Sequence, residues 1–180
     1  VVALCEKGNY KQAKLILADL IKKDPTNSEF YWIYGQILSD EGDQDEAINS
    51  LIDALRWDPK NGYALIMMGN IFARNKNDLE TAMKYYDQAL VANPNDNIAI
   101  NNIGGNLMQQ GKIEAAKKYF WDAMKIDPTY PNTHYALSMI AGMENDWNSA
   151  FFNAIETLKH SKQKDNLYRN ALQDAVKISR

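Results

Sequence analysis

The sequence predicts an all-α fold in which antiparallel helix pairs follow one another along the chain. Three observations predict it. A proline preceded by Asp or Asn recurs every 34 or 35 residues, an alanine lies twelve residues before each, and apolar residues between these markers follow helical spacing. The markers are Ala13, Ala47, Ala82 and Ala116, with Pro25, Pro59, Pro94 and Pro128. A fixed period of this length is the signature of stacked helical repeats.

Each repeat reads as two helices separated by a turn. In the second repeat, residues 31–38 and 47–55 each carry an apolar stripe with the spacing of one helix face. The Gly42-Asp43 pair predicts the turn between them, and Pro59 ends the second helix because the residue before a proline avoids the α region. Applied along the chain, this pattern predicts helices over 10–23, 28–41, 44–57, 62–74, 79–92, 97–110, 113–126, 131–144, 147–160 and 165–179.

Three of the first helices carry a glycine near the middle, which costs about 1 kcal/mol relative to alanine. Because that cost is repeated three times, we expect the glycines to permit close approach of the partner helix, which presents a small alanine. The glycines are Gly35, Gly69 and Gly104, and the alanines are Ala47, Ala82 and Ala116. Gly8, Gly42 and Gly111, with Asn75, Asn77 and Asn145, fall in the predicted turns.

Composition excludes several classes of protein. With 46% hydrophobic and 24% charged residues among 180, the chain has an ordinary globular composition. A net charge of −3 provides no electrostatic drive toward nucleic acid. No run of about 18 apolar residues occurs, so we expect no membrane span. The single cysteine, Cys5, excludes an internal disulfide and a cysteine-based zinc site.

The repeat resembles the tetratricopeptide repeat, a pattern of a large residue, Leu-Gly, Tyr, Ala-x3-Phe and Pro. The matches are Tyr31, Tyr34-Gly35, Leu38, Ala47, Leu51 and Pro59; then Leu65, Met68-Gly69, Phe72, Ala82, Tyr86 and Pro94; then Ile100, Ile103-Gly104, Leu107, Ala116, Phe120 and Pro128. The first repeat is cut, the third has an extra residue in 75–78, and the fifth lacks a closing proline near Lys162.

The resemblance implies a right-handed α-solenoid formed by a single array over residues 1–180. We expect a partial repeat at 1–27, whole repeats at 28–61, 62–96, 97–130 and 131–164, and a capping helix at 165–180. Because the chain opens at Val1 without Met, we interpret it as a piece of a longer protein. Its compartment stays open between cytoplasm and bacterial periplasm.

Such a solenoid exposes a concave groove formed by the first helix of each pair. Counting equivalent positions predicts a groove in which large apolar side chains alternate with amides, a combination that suits a peptide or a partner helix. The predicted partner-binding residues are Trp32, Gln36, Tyr63, Ile66, Asn70, Arg74, Ile98, Asn101, Asn132, Tyr135 and Met139. Two alternatives stay open: Ile66 and Ile98 could pack between first helices, and Asn70 could satisfy a neighbouring helix.

These features predict a non-catalytic protein–protein interaction scaffold with no cofactor and no metal. Related repeats bind acidic carboxylate ends through groove Lys and Arg residues, which this chain lacks apart from Arg74, so we expect apolar or neutral segments as partners. The acidic residues in 40–46 are expected to favour the dipole of the next helix. His134 and His160 have no partner at ligand spacing. Two alternatives are end-to-end self-association, through the apolar start of the chain, and an accessory role in a larger enzyme or signalling protein.

Overall fold

The computed structural model describes residues 1–161, 170 and 173, and the elements in this part of the chain are ten α-helices joined by short turns. Every element of this part is helical, so the all-α prediction is confirmed there. The helices are α1 (Val2–Glu6), α2 (Tyr10–Lys23), α3 (Ser28–Glu41), α4 (Gln44–Trp57), α5 (Gly62–Arg74), α6 (Leu79–Ala92), α7 (Asn97–Gln109), α8 (Ile113–Ile126), α9 (Pro131–Met143) and α10 (Trp147–His160).

The predicted helices between residues 10 and 160 agree with the structure to within one residue. Only α7 and α9 differ, and each ends one residue earlier than predicted, at Gln109 and Met143. The short helix α1 is not among the predicted helices, and it precedes α2 at the start of the chain. The capping helix predicted at 165–180 lies outside the described residues apart from 170 and 173.

The turns explain why the helix boundaries could be predicted. Five turns in the described part of the chain join the two helices of a pair. Three of them place a glycine at positive φ, and the other two place an asparagine there, with φ of 51° at Asn77 and 60° at Asn145. The left-handed region is open to glycine and tolerated by asparagine, so both residue types end a helix in the same way. The glycines are Gly8, Gly42 and Gly111.

Consecutive helices pack as antiparallel pairs, and mid-helix glycines let them approach. A Cβ atom added at Gly104 would lie 2.7 Å from the ring of Phe120, and one added at Gly35 would lie 3.0 Å from Leu51. At Gly69 it would overlap the ring of Tyr86. The prediction of close approach is therefore confirmed. The nearest side chain, however, is the large residue four positions after the alanine, which occupies the space that a glycine Cβ would need.

The chain forms two compact units, and each has its own core. The first unit, Val1–Pro94, contains α1–α6, and the second unit begins at Asn95 and contains α7–α10. Leu17, Ile37, Leu51 and Met68 are fully buried in the first unit. The corresponding set in the second unit is Ile103, Phe120, Leu137 and Ile140. No helix among the described residues combines the length and apolar character needed to cross a bilayer.

Candidate partner-binding surfaces

The clearest surface feature of the first unit is a stacked aromatic pair on its first helices, α3 and α5. The rings of Trp32 and Tyr63 lie 4.9 Å apart at an interplanar angle of 17°. Trp32 is half-buried and its indole N–H donates to Oε2 of Glu29 at 2.7 Å, whereas Tyr63 is 60% exposed. Stacking of this kind contributes about 0.5–1.5 kcal/mol beyond buried area. The pair therefore presents a fixed, partly apolar surface to solvent.

Two predicted amides lie on the same helices and already have partners. The Gln36 amide donates to Oδ1 of Asp40 at 3.4 Å, along the outer face of α3. The Asn70 side-chain oxygen accepts from the hydroxyl of Tyr86 at 2.9 Å. Burial raises the pKa of Tyr86 to about 12, so the phenol stays protonated and donates this hydrogen bond at neutral pH. Thus Asn70 satisfies a neighbouring helix, one of the two roles predicted for it.

The predicted cation, Arg74, lies exposed in the last turn of α5. Its positive charge acts on the Tyr86 phenol and partly offsets the increase in pKa that burial causes. Arg74 is thus on the same helix as Tyr63 and Asn70, about three turns after Tyr63 and about one turn after Asn70. In the first unit, α3 and α5 thus carry an aromatic pair, two amides and one cation.

Two of the predicted binding residues are buried in the fold. Ile66 on α5 is 7% exposed and packs in the first unit. Asn101 on α7 is also 7% exposed, and its amide donates to the backbone oxygen of Asn97 at 2.8 Å. Its oxygen accepts from the Thr133 hydroxyl at 2.7 Å, which links α7 to α9. In this conformation neither side chain presents a surface to a partner.

The remaining predicted residues belong to the second unit. Ile98, at the start of α7, is 40% exposed. Asn132 is exposed and its amide donates to the hydroxyl of Tyr130 at 3.2 Å. Tyr135 and Met139 are half-buried and lie one turn apart on α9. These residues stay predictions for a surface on the first helices of this unit.

Two of the acidic residues in 40–46 form ion pairs within the fold. Glu41 pairs with Lys14 at 2.5 Å, and Asp45 pairs with Lys76 at 2.6 Å. Asp45 and Glu46 also lie in the first turn of α4, where negative charge favours the helix dipole. Among the described residues, no group of three His, Cys, Asp or Glu side chains is placed to hold a metal ion.

His134 lies at a position of the repeat pattern, and the structure gives it a packing role. It is 3% exposed; Nε2 lies 2.9 Å from the backbone oxygen of Pro128, and Nδ1 lies 3.1 Å from Oδ1 of Asn153. Tyr31 is the equivalent residue of the second repeat, and its hydroxyl donates to the backbone oxygen of Pro25 at 2.8 Å. In both units, therefore, an aromatic side chain at this position is hydrogen-bonded to the backbone carbonyl of the proline in the preceding Asp-Pro turn.

Sequence reasoning missed a groove in the second unit, because only the first helices were compared for binding residues. This groove, the α8–α10 groove, has α9 as its floor and a volume of about 360 Å³. Trp121 of α8 and Phe152 of α10 line it, with Met124 and Leu137 below. Trp121 is 53% exposed and Phe152 is 60% exposed. Large aromatic residues at solvent positions of second helices were the signal that could have revealed it.

Two family models match the chain. Residues 62–179 match the model described as the TT21 fifth ARM repeats domain, and residues 28–61 match the tetratricopeptide repeat. Paired helices with a period of 34 or 35 residues define the class of helical-repeat proteins. The chain belongs to the tetratricopeptide-type helical-repeat family, with the fifth ARM-repeat domain of TT21 as the model that covers most of its length.

Curated relatives share the repeats at low identity. The chain is 27% identical over 143 residues to "BBSome complex member bbs-4" of Caenorhabditis elegans, covering 79% of this chain and 31% of the relative. It is 23% identical to mouse "DnaJ homolog subfamily C member 7", and the match covers 91% of this chain and 28% of that relative. It is 30% identical to the Hordeum vulgare protein "Probable UDP-N-acetylglucosamine--peptide N-acetylglucosaminyltransferase SPINDLY", covering 76% and 15%. The chain therefore spans less than a third of each of these relatives.

Solved structures share the fold. The type IV pilus biogenesis factor PilW superposes with a TM-score of 0.79 at 22% identity, covering 98% of this chain and 86% of that one. The Cut9 and Hcn1 assembly of APC/C gives 0.83 at 19% identity, covering 99% and 38%. YrrB, described as a TPR protein with an unusual peptide-binding site, gives 0.63 at 19% identity, covering 95% and 87%. At these identities the likeness shows the helical-repeat fold.

Proposed function

We propose that the chain is a non-catalytic interaction scaffold that binds a peptide or helical segment of a partner protein on the first-helix surface of its first unit. The observation that carries this proposal is the stacked Trp32–Tyr63 pair. Aromatic residues are enriched among the few side chains that dominate binding energy at protein interfaces. A solvent-facing aromatic pair that is already ordered is therefore the best-supported anchor for a partner.

The groups around the pair favour a segment that is mainly apolar or neutral. Glu29 accepts from the Trp32 indole, so its charge is already in a hydrogen bond. The Gln36 amide lies one turn from Trp32 and can exchange its long contact with Asp40 for a peptide carbonyl. Arg74 offers one cation at the end of α5. A single cation suits one acidic or carbonyl contact and does not suit capture of an acidic tail.

The proposal extends to the second unit as a separate surface. Ile98, Asn132, Tyr135 and Met139 stay predicted contacts there, while Ile66 and Asn101 are left out because both are buried. The names of two similar proteins agree with a role in binding. YrrB is described as having a peptide-binding site, and bbs-4 is described as a complex member.

The test selects partners from a displayed library of random dodecamer peptides and measures their affinity by fluorescence polarisation. We expect Trp32→Ala and Tyr63→Ala each to weaken the selected peptides at least about tenfold, since anchor residues carry most of the binding energy. Trp57→Ala is the matched control, because Trp57 is a 45% exposed tryptophan of the first unit, on the second helix α4. Unchanged affinity in both variants, or selection of acidic C-terminal tails alone, contradicts the proposal.

End-to-end self-association is a second candidate, and the exposed start of the chain favours it. Val2 is 60% exposed on the short helix α1. Sedimentation at high protein concentration tests it: a strict monomer excludes self-association, and a Val2→Asp variant should lose any oligomer.

A third candidate follows from SPINDLY, which is named as a transferase. In this candidate, the chain is the helical-repeat part of a longer enzyme. The full-length reading frame decides this.

A further inference from the structure

The α8–α10 groove differs from its counterpart in the first unit at the residues that face solvent. The counterpart lies between α2 and α4, over α3, with a volume of about 340 Å³. Residues 103 positions apart in sequence are equivalent in the two grooves, which is three repeats. On this register Trp121 replaces Ala18 and Phe152 replaces Asn49. The second unit has thus gained two large aromatic side chains in a groove of nearly unchanged volume.

The two grooves share an ion pair at equivalent positions. Lys117 pairs with Glu144 at 2.5 Å, and the equivalent Lys14 pairs with Glu41 at the same distance. Because the ion pair and the helix positions are shared, packing of the repeat does not explain the two aromatic residues. Both are more than half exposed, at 53% for Trp121 and 60% for Phe152, and because they line one groove they form an apolar patch of the kind that marks interaction sites.

Charge at one end of the α8–α10 groove indicates what kind of segment would cover it. Lys117 is surrounded by three carboxylates: Glu144, which accepts its hydrogen bond, and Glu114 and Asp146, whose charges act on it as well. In the first unit the residue equivalent to Glu114 is Lys11. Around Lys117 the carboxylates thus outnumber the lysine, because Glu114 adds a negative charge where the counterpart has the positive charge of Lys11, whereas the counterpart carries its lining carboxylates, Glu46 and Asp53, on α4. Excess carboxylate is complementary to a Lys or Arg side chain.

The exposed aromatic area decides between a second copy of the chain and a short segment. Aromatic side chains each bury roughly 150–250 Å², so the exposed fractions of Trp121 and Phe152 leave roughly 170–280 Å² to be covered. A stable dimer needs about 800 Å² from each partner. A groove of about 360 Å³ is also the size that takes one or two apolar side chains. The two aromatic side chains alone supply well under half of that area, and the groove is sized for one or two side chains, so these dimensions favour a short segment over a second copy.

We propose that the α8–α10 groove is a second docking site, distinct from the Trp32–Tyr63 surface, for a short amphipathic segment of a partner protein. The segment places an apolar side chain between Trp121 and Phe152 and a Lys or Arg beside Glu144 and Asp146. Helix-in-groove recognition works in this way, with apolar anchors for affinity and charges for orientation.

The test compares the 180-residue chain with a variant that carries the first unit's residues at both positions, Trp121→Ala with Phe152→Asn. Random dodecamer peptides are selected on the natural chain, and the enriched ones are synthesised and measured by fluorescence polarisation. Because both replaced side chains are mostly exposed, we expect the variant to stay folded, which circular dichroism and thermal melting confirm. Trp32→Ala is the matched control for the other surface.

We expect one class of selected peptides to combine apolar and basic residues. This class should lose at least about tenfold in affinity for the double variant and keep its affinity for Trp32→Ala. Asp146→Asn, which removes the charge but keeps a good N-cap, should weaken the class a fewfold and reduce its dependence on salt.

Three results overturn the proposal. The first is that no selected peptide distinguishes the double variant from the natural chain. The second is that all discriminating peptides lack basic residues and ignore Asp146→Asn. The third is that the natural chain forms a dimer in sedimentation that the double variant does not form, because a second copy then occupies the groove. Peptides that depend on Trp32 alone would leave the function proposed above intact while removing this second site.

Discussion

The two units share one framework and differ in the surfaces they present. The ion pair of Lys14 with Glu41 recurs as that of Lys117 with Glu144, and the hydrogen bond from Tyr31 to a turn carbonyl recurs from His134. In contrast, the first unit has a stacked aromatic pair on its first helices, whereas two exposed aromatic residues of the second unit, Trp121 and Phe152, line a groove between second helices. Positions that are alike in both units thus maintain the fold, and positions that differ between the units are where binding specificity would lie.

The largest expected effect tests whether the framework is equivalent in the two units. Leu17 and Phe120 occupy equivalent positions, and both are at most 2% exposed. Leu17→Ala should lower the free energy of unfolding by about 2–5 kcal/mol and Phe120→Ala by about 3–5 kcal/mol, because each leaves a cavity. Urea unfolding followed by circular dichroism measures both. A loss below about 1 kcal/mol at either site would break the equivalence.

A smaller effect distinguishes two neighbouring glycines in α7. Gly104→Ala should destabilise the chain by about 1–3 kcal/mol, because its Cβ would lie 2.7 Å from the ring of Phe120. Gly105→Ala is the matched control: no atom lies within 4 Å of its Cβ, so a gain of up to about 1 kcal/mol is expected from helix propensity. The two changes should therefore have opposite signs in thermal melting. The same sign for both would show that the helix pair adapts to the added methyl group.

The smallest effect concerns two equivalent aspartates at the start of second helices. Asp146 caps α10 by accepting from the backbone N–H of Ser149 at 3.2 Å, whereas Asp43 makes no side-chain cap bond to α4. Hydrogen bonds from the side chain of Ser149 and then from its backbone N–H lower the pKa of Asp146, so the contribution of Asp146 to stability is present above the usual aspartate pKa and is lost as pH falls through the lowered pKa.

Asp146→Asn should therefore reduce the loss of stability between about pH 5 and pH 2 while leaving stability at pH 7 nearly unchanged. Melting curves across this range measure the effect, and Asp43→Asn is the control. If the Asp146→Asn variant lost as much thermal stability on acidification as the natural chain, the result would contradict the difference between the two caps.

The sequence predicted the helices well and the binding surface less well, for different physical reasons. Helix ends depend on local chemistry, such as the glycine at Gly42 or the proline at Pro59, and this chemistry is visible in the sequence. Exposure depends on how far each helix is rotated against its neighbour, which a repeat count does not resolve. Ile66 and Asn101 were assigned to the groove by position, yet both are 7% exposed.

The α8–α10 groove was missed because only the first helix of each pair was compared for binding residues. Comparison of equivalent positions would have found Trp121 against Ala18 and Phe152 against Asn49. That comparison needs only the repeat register. The ion pair that flanks the groove also follows from the register, but the contact between Lys117 and Glu144 required the structure.

The stacked Trp32–Tyr63 pair has a consequence for the entropy of association. Ordering a side chain at an interface costs about 0.5–1.5 kcal/mol, and two large residues on neighbouring helices would ordinarily incur that cost when a partner arrives. Here the stacking and the hydrogen bond to Glu29 have restricted both rings during folding. A segment that docks on them is spared this penalty, so more of its contact energy is retained as affinity.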